Sequence, residues 1–317
     1  MAVHVISVGV SLRDSLADTR RSLSGTPALI TAIKEGKPLL VMNNGAMGSG
    51  DAASQWLAGA LAAKGNPERD EAAAARLAEV SAEVKPATWP SGLSAELDTF
   101  ARVTESAPRI GSGDIAILIS SDTAAGLLAG LWNAIVLADG KPDRVRYLAN
   151  AGQSPEGLRG HVALVRVRGL DAGDEQGFRQ AMHGLGMLGR RLLDKGEIEP
   201  DEPFLFYLSG GFKAAIPYLI GLAEGLRSLP GNRAVEAYVL HDTTRSRPIG
   251  LPLRYIAPEI VQQELGGWGQ SEIRSAPPKG QWLNGYAYEP HAGGWRRTAF
   301  GEGLSALFGF PGTGLSP

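Results

Sequence analysis

The sequence predicts an α/β protein with a mainly parallel sheet that helices flank on both sides. Short apolar runs, which are typical of strands, alternate along the chain with longer runs of helical period. The predicted strands are apolar on both faces, as in a parallel sheet that is covered on both sides. With 317 residues, 44% of them hydrophobic, the chain can form one large domain or two modest ones.

Seven segments have the pattern of strands, and the last two have the pattern of a strand pair at an edge of the sheet. They are residues 4–10, 114–120, 144–150, 161–169, 202–210, 234–243 and 250–256. A further segment, residues 38–45, fits either a short strand or a loop.

Segments of helical period follow or separate these strands. They are residues 11–25, 51–65, 68–84, 93–107, 123–140, 174–196 and 211–229. We interpret the Ala/Glu-rich region from about 43 to 107 as a helical insert that covers the sheet or joins a dimer contact. From residue 264 the chain becomes rich in Gly, Pro and Trp, so we expect a domain over 1–262 and a C-terminal extension over 263–317.

Composition excludes several classes of function. A net charge of −2 argues against a general coat on DNA or RNA, and the absence of cysteine excludes disulfides and cysteine zinc sites. The five histidines are scattered without a pair at metal-ligand spacing, so we expect neither a metal nor a cofactor. The N-terminus has the pattern of a buried strand rather than of a signal peptide, and no run of 18 apolar residues is present. We therefore expect a cytoplasmic protein that binds neither membranes nor duplex nucleic acid.

Three strand ends carry small polar residues where a helix begins, in residues 9–15, 119–126 and 208–215. Ligands of parallel sheets bind at this edge, and helix N-termini there suit phosphate. Gly210 and Gly211 allow close approach of the backbone, and Lys213 adds a positive charge. The candidate hydroxyl donors are Ser11, Ser120, Ser121, Thr123 and Ser209.

Each of these features also has a structural interpretation. Ser120, Thr123 and Ser11 could be helix caps, and we assign Asp122 to a capping role. The glycine pair could be a tight turn, and Lys213 could be a solvated residue. Neither a Walker sequence nor G-x-G-x-x-G after the first strand is present.

Taken together, the blocks "SVGVSLRDSL", "ILISSDTAAGLLAGLW" and "FYLSGGFKAAIPYLIGLAEGL" resemble the CARF domains of CRISPR-associated proteins, as does the later "VEAYVLHDTTRSRPIGLPLRYI". The most similar branch includes stand-alone ring nucleases and the sensor halves of ancillary type III ribonucleases. The resemblance covers about residues 3–256, and "SGGFKAAIPYL" is its most specific element. It implies a Rossmann-like fold, a homodimer, and a cyclic oligoadenylate bound in a cleft on the two-fold axis.

The resemblance also implies roles for individual residues. Lys213 would neutralise charge on the reacting phosphate, and Ser11 would orient the phosphate or ribose; these are the expected catalytic residues. The backbone of Gly210, Gly211 and Phe212 would hold a second phosphate. Further residues expected to line the cleft are Gly9, Val10, Arg13, Ser120, Ser121, Thr123 and Ser209.

This chain departs from the family pattern in two ways. The Gly-Thr-Ser that commonly follows the first strand is Gly9-Val10-Ser11 here, so one hydroxyl is lost. No ribonuclease motif is present, which favours an enzyme that destroys the messenger, and cyclic tetra-adenylate is the expected substrate. A sensor that binds the ring without cleaving it is the alternative. A generic Rossmann-like enzyme acting on a nucleotide or sugar phosphate is the third hypothesis.

The C-terminal extension is open to three interpretations. Residues 281–290 could form an edge hairpin that completes the sheet. Trp268, Trp282 or Trp295 could instead form a lid that stacks on adenines. The extension could also be a surface for a partner.

Overall fold

The fold was analysed in a computed structural model. It describes residues 1–9, 50–82, 84–89, 91–153, 156–170, 174–194, 198–211, 213–231, 233–240, 247–269 and 272–310. Within these ranges, seven strands form the main sheet. They are β1 (Val3–Ser7), β2 (Ile115–Ser120), β3 (Val145–Leu148), β4 (Val162–Arg166), β5 (Phe204–Tyr207), β6 (Val235–Leu240) and β7 (Pro248–Leu251).

The order of strands in this sheet is β3-β4-β2-β1-β5-β6-β7. The first six strands are parallel, and Val5 of β1 pairs with Ile117 of β2 on one side and Phe206 of β5 on the other. Only β7 is antiparallel, and it pairs with β6 at the edge of the sheet. The predicted mainly parallel α/β sheet with an edge pair is therefore confirmed.

The apolar runs become strands because both faces of the sheet are buried. Along β1, Ile6 belongs to the core on one face, whereas Val5 belongs to the core on the other. Along β2 the side chains alternate in the same way, with Leu118 on the first face and Ile117 on the second.

Six helices of the described chain cover the two faces. They are α1 (Gly50–Leu61), α2 (Glu71–Ser81), α3 (Ala95–Val103), α4 (Ala124–Leu137), α5 (Glu175–Asp194) and α6 (Ile216–Ser228). The first four contribute to the core on the Ile6 face, and α5 and α6 contribute to the core on the Val5 face. Of the predicted insert, α1 and α3 pack against strands of the sheet and α2 packs against α1. Its residues 43–49 lie outside the described ranges, as does the segment 38–45.

The C-terminal module, residues 258–310, has a core of its own. It contains α7 (Pro258–Leu265), β8 (Tyr288–His291), β9 (Gly294–Arg297) and α8 (Ala299–Phe308). Val261 and Leu265 of α7 pack with Trp268, Tyr288 and Leu304 in this third core. Because α7 spans the expected boundary at 262/263 and its side chains join this core, the module begins at the start of α7.

Helix α8 attaches the module to the main domain along α5 and α6. At Gly186 of α5, a Cβ atom would clash with the carbonyl oxygen of Gly303, so the two helices touch through their backbones. At Gly221 of α6, a Cβ atom would clash with the ring of Phe300. The module therefore packs outside the helical layer on the Val5 face.

The hairpin interpretation of the C-terminal extension needs a correction. A hairpin is present, but it spans 288–297 rather than 281–290, and its strands form a separate two-stranded sheet. It does not complete the main sheet, because β7 is the edge strand on one side and β3 on the other. Helices α7 and α8 have no counterpart among the predicted helices, since the Gly- and Pro-rich composition obscured their helical period.

Candidate functional site

The turns after β1 and β5 meet at the centre of the carboxyl edge of the sheet. From β1 the chain continues to strands on one side, and it returns to the other side of β1 with β5. The carboxyl ends of β1 and β5 therefore form the topological switch point, where ligands of open α/β sheets bind. Gly9 follows β1 at this point, and Gly210 and Gly211 follow β5.

The glycines are required by close contacts within the chain. A Cβ atom at Gly9 would clash with the backbone nitrogen of Gly211, and Gly211 has a φ of +98°, which side chains rarely adopt. The Ser7 hydroxyl lies 2.6 Å from the carbonyl oxygen of Gly210, which ties the second turn to the end of β1. The close approach of the backbone at these glycines is thus between the two turns themselves.

Glu96, which sequence reasoning missed, lies between the two turns. Its side chain is fully buried, with 0% exposure, and its Oε1 accepts a hydrogen bond of 2.6 Å from the Gly9 N–H. Its Oε2 accepts one of 2.8 Å from the hydroxyl of Ser94, the N-cap residue of α3. A Cβ atom at Gly210 would clash with this carboxylate. The Gly9 N–H is therefore engaged by a carboxylate of the protein and could reach a ligand only if Glu96 moved.

Lys213 begins the short 3₁₀ turn Lys213–Ala215 that leads into α6. Its side chain is exposed, and it makes no ion pair with any described residue. Among the described residues it is therefore an exposed cation without an acidic partner, on the turn that follows β5 at the switch point. Four other residues expected at the site lie outside the described ranges. They are Val10, Ser11, Arg13 and Phe212.

Ser209 uses its hydroxyl within the fold. The Oγ atom accepts a hydrogen bond of 2.7 Å from the Leu240 N–H and lies 2.6 Å from the hydroxyl of Thr99. It thereby links β5 to the end of β6 and to α3. These contacts leave Ser209 a structural role that the sequence did not predict.

The turn after β2 follows the capping interpretation at Thr123. The Thr123 hydroxyl accepts a hydrogen bond of 3.1 Å from the Gly126 N–H and so caps α4. The Ser121 hydroxyl is half-buried and lies 3.0 Å from that of Thr123, whereas Ser120 is fully buried. Of the three, Ser121 and Thr123 retain partial exposure at the carboxyl edge.

Asp122 is not the cap that the sequence suggested, because it pairs with a buried arginine. Arg166 at the end of β4 donates from Nε to Asp122 Oδ1 at 2.5 Å and from Nη2 to Asp51 Oδ1 at 2.6 Å. The hydrogen bond from Arg166 lowers the pKa of Asp51, which keeps that carboxyl ionised. Arg166 thus joins the ends of β2 and β4 to the start of α1. Sequence reasoning missed these ion pairs because Arg166 lies within a segment that was interpreted only as an apolar strand.

The three tryptophans differ in their availability for stacking. Trp268 is 1% exposed, donates its indole N–H to the Glu264 carbonyl oxygen and packs inside the C-terminal module, so it has no free face for a base. The lid interpretation therefore does not fit Trp268. Trp295 is half-buried with its ring against Tyr288, and only Trp282, at 72% exposure, presents most of its ring to solvent.

Two further observations concern the described part of the chain. No group of three or more His, Asp or Glu side chains there is arranged to hold a metal ion. No helix within those ranges has the length and apolar character needed to cross a membrane.

Comparisons with known proteins add no family to this description. No model of a known protein family matches the chain, and no curated protein sequence matches it either.

Proposed function

We propose that this protein is a ring nuclease that binds a cyclic oligoadenylate, cyclic tetra-adenylate above all, in the cleft of a homodimer. The observation that carries the proposal is the position of Lys213. It lies exposed beside the switch point, on the turn whose sequence, "SGGFKAAIPYL", resembles that of ring nucleases most closely. Cleavage of the messenger would switch off type III CRISPR signalling.

In the proposed reaction, a ribose 2′-hydroxyl attacks its own adjacent phosphate without a metal. The bond from O2′ to phosphorus forms, the bond from phosphorus to O5′ breaks, and the proton lost by O2′ is balanced by one gained at O5′. The product is a linear oligoadenylate that ends in a 2′,3′-cyclic phosphate. The protein needs to hold the hydroxyl in line and to stabilise the added negative charge, and the ammonium of Lys213 is suited to the second task.

A sensor that binds the ring without cleaving it is the second candidate, and two contacts of Arg179 favour it. Arg179, in the first half of α5, donates to the Arg297 carbonyl oxygen at 2.5 Å and pairs with Glu302 of α8 at 3.0 Å. Because α5 follows β4 at the carboxyl edge, these bonds join that edge to the C-terminal module. A ligand at the edge could therefore act on the module through α5.

Incubation with rings of different size in EDTA tests the proposal. Purified protein is mixed with cyclic tri-, tetra- or hexa-adenylate, and the products are separated by chromatography. We expect linear products with a 2′,3′-cyclic phosphate from cyclic tetra-adenylate. If a ring binds tightly but stays intact, the protein is a sensor rather than an enzyme. Binding of a mononucleotide but of no ring would reject both.

A further inference from the structure

Glu96 connects three segments that are distant in sequence. Its carboxylate bonds the Gly9 N–H 87 positions earlier, bonds Ser94 at the start of α3, and fills the space beside Gly210. The Glu96 side chain thus bonds the turn after β1 and packs against the turn after β5. No other side chain of the described residues bonds the Gly9 N–H.

The Glu96 carboxyl group lies in the first turn of α3. It accepts hydrogen bonds from the Gly9 N–H and from the hydroxyl of Ser94, the N-cap residue of that helix. The Ser94 hydroxyl also lies 2.9 Å from the side-chain oxygen of Asn133 in α4, so the arrangement is tied to a second helix. Glu96 therefore occupies a backbone N–H at the edge of the sheet where many open α/β proteins bind a ligand phosphate.

A neighbour on the same helix, Asp98, provides a comparison because its known hydrogen bond is local. Asp98 is also buried, and its carboxylate accepts the Gly92 N–H at 2.8 and 3.1 Å. That bond closes the loop immediately before α3 and reaches neither turn of the switch point. Both carboxylates are buried and both accept a backbone N–H, but that N–H is 87 positions away for Glu96 and six positions away for Asp98.

We propose that Glu96 is a positioning residue that holds the turns after β1 and β5 at a fixed separation. Lys213 lies three residues beyond Gly210, so this separation sets its position relative to the end of β1. The link between the turns follows from the contacts alone, whereas its effect on catalysis rests on the proposed function. Glu96 itself is buried and acts through the turns rather than on the ring.

Hydrogen exchange of the full-length protein without ligand tests the link. Glu96→Asp keeps the charge but is one methylene too short to reach both donors, and Glu96→Gln keeps an oxygen that can accept the Gly9 N–H. We expect Glu96→Asp to speed exchange in peptides containing Gly9 and Gly210 by roughly 10-fold, and Glu96→Gln to have little effect. The control Asp98→Ala should speed exchange near Gly92 and leave the peptides containing Gly9 and Gly210 unchanged. Unchanged exchange at both turns in Glu96→Asp, or equal changes in Asp98→Ala, would overturn the link.

Single-turnover cleavage at saturating cyclic tetra-adenylate tests the consequence. We expect Glu96→Asp to cleave roughly 10- to 100-fold more slowly while ring affinity stays within about threefold, with Glu96→Gln and Asp98→Ala near the wild-type rate. A wild-type rate in Glu96→Asp would show that the link does not serve catalysis. If the wild-type protein cleaves no ring, the proposed function fails, and the exchange measurement still decides whether Glu96 couples the turns.

Discussion

The switch point and the C-terminal module are each organised around one buried glutamate. Glu96 is 0% exposed and accepts the Gly9 N–H, whereas Glu264 is 1% exposed and accepts the Trp282 and Leu283 N–H groups, both at 2.9 Å. In both regions a carboxylate replaces water for backbone groups that secondary structure leaves unpaired. Both regions therefore use a buried glutamate to accept hydrogen bonds from loop N–H groups.

The surroundings of the two carboxylates differ. Glu264 lies among aromatic rings, and it also accepts a hydrogen bond of 2.9 Å from the Tyr288 hydroxyl. Burial raises the pKa of the Tyr288 phenol, and the hydrogen bond to Glu264 raises it further. Glu96 lies between glycine turns, with Lys213 exposed nearby. A buried carboxylate alone thus indicates only that a loop is held. What distinguishes the candidate site is Lys213, an exposed cation that pairs with no acidic side chain of the described residues.

The largest effect is expected from removal of that cation. Lys213→Ala should lower the single-turnover rate of ring cleavage by about 100- to 1000-fold at saturating ligand, because charge on the reacting phosphate loses its counterion. Lys279→Ala, at an exposed lysine of the C-terminal module, is the matched control and should leave the rate unchanged. If saturating ligand restores the Lys213→Ala rate, the lysine contributes binding only.

Removal of the second glutamate should affect stability rather than cleavage. Glu264→Ala leaves two N–H groups and the Tyr288 hydroxyl without their acceptor, so we expect the free energy of unfolding to fall by about 3 kcal/mol. Urea unfolding measures this change, and Glu264→Gln, which keeps one oxygen, should cost less. If Glu264→Ala stays folded but loses as much cleavage activity as Lys213→Ala, the C-terminal module is part of the site, and the two glutamates do not differ in function.

The main sheet and the glycine-lysine turn after β5 could be predicted from the sequence. Apolar runs flanked by turns predicted the main sheet, because strands that are buried on both faces have little freedom in composition. Gly210, Gly211 and Lys213 were recognisable because their pattern is local. Their position at the switch point followed from the strand order that such a sheet adopts.

Residues that act over long sequence separations could not be predicted in this way. Glu96 follows a helix cap and resembles any acidic residue in a first turn, and its partner Gly9 is 87 positions away. Arg166 resembles an exposed strand residue until Asp51 and Asp122 surround it. Trp268 was one of three residues considered for a lid, because composition does not show which aromatic rings form a core. In each case the decisive partner is brought close only by the fold.

A smaller effect concerns the junction of the module with α5. Burial lowers the pKa of His183, and the nearby charge of Arg297 lowers it further. A histidine with a lower pKa in the folded state binds more protons when unfolded, so its contribution to stability is present above about pH 6.5 and is lost as the pH falls below that value. We expect the thermal unfolding midpoint to decrease when the pH is lowered from 7.5 to 5.5, and to decrease less in His183→Gln than in the wild-type protein.

His291→Gln is the matched control for this prediction, because His291 is exposed at the end of β8. It should keep the pH dependence of the wild-type protein. An equal pH response in His183→Gln and the wild type would show that protonation of His183 does not weaken the junction.

The smallest effect is expected at Trp282, the one tryptophan of the module that is mostly exposed. Trp282→Ala should change the free energy of unfolding by less than about 0.5 kcal/mol, whereas Trp268→Ala, which removes a buried ring, should cost about 3–5 kcal/mol. We also expect Trp282→Ala to bind cyclic tetra-adenylate with wild-type affinity, because the backbone of Trp282 is held by Glu264 inside the module. Stacking on a base is worth about 1–3 kcal/mol, or roughly 5- to 150-fold in affinity. A loss of that size in a titration of Trp282→Ala would make this ring a lid and join the module to the site.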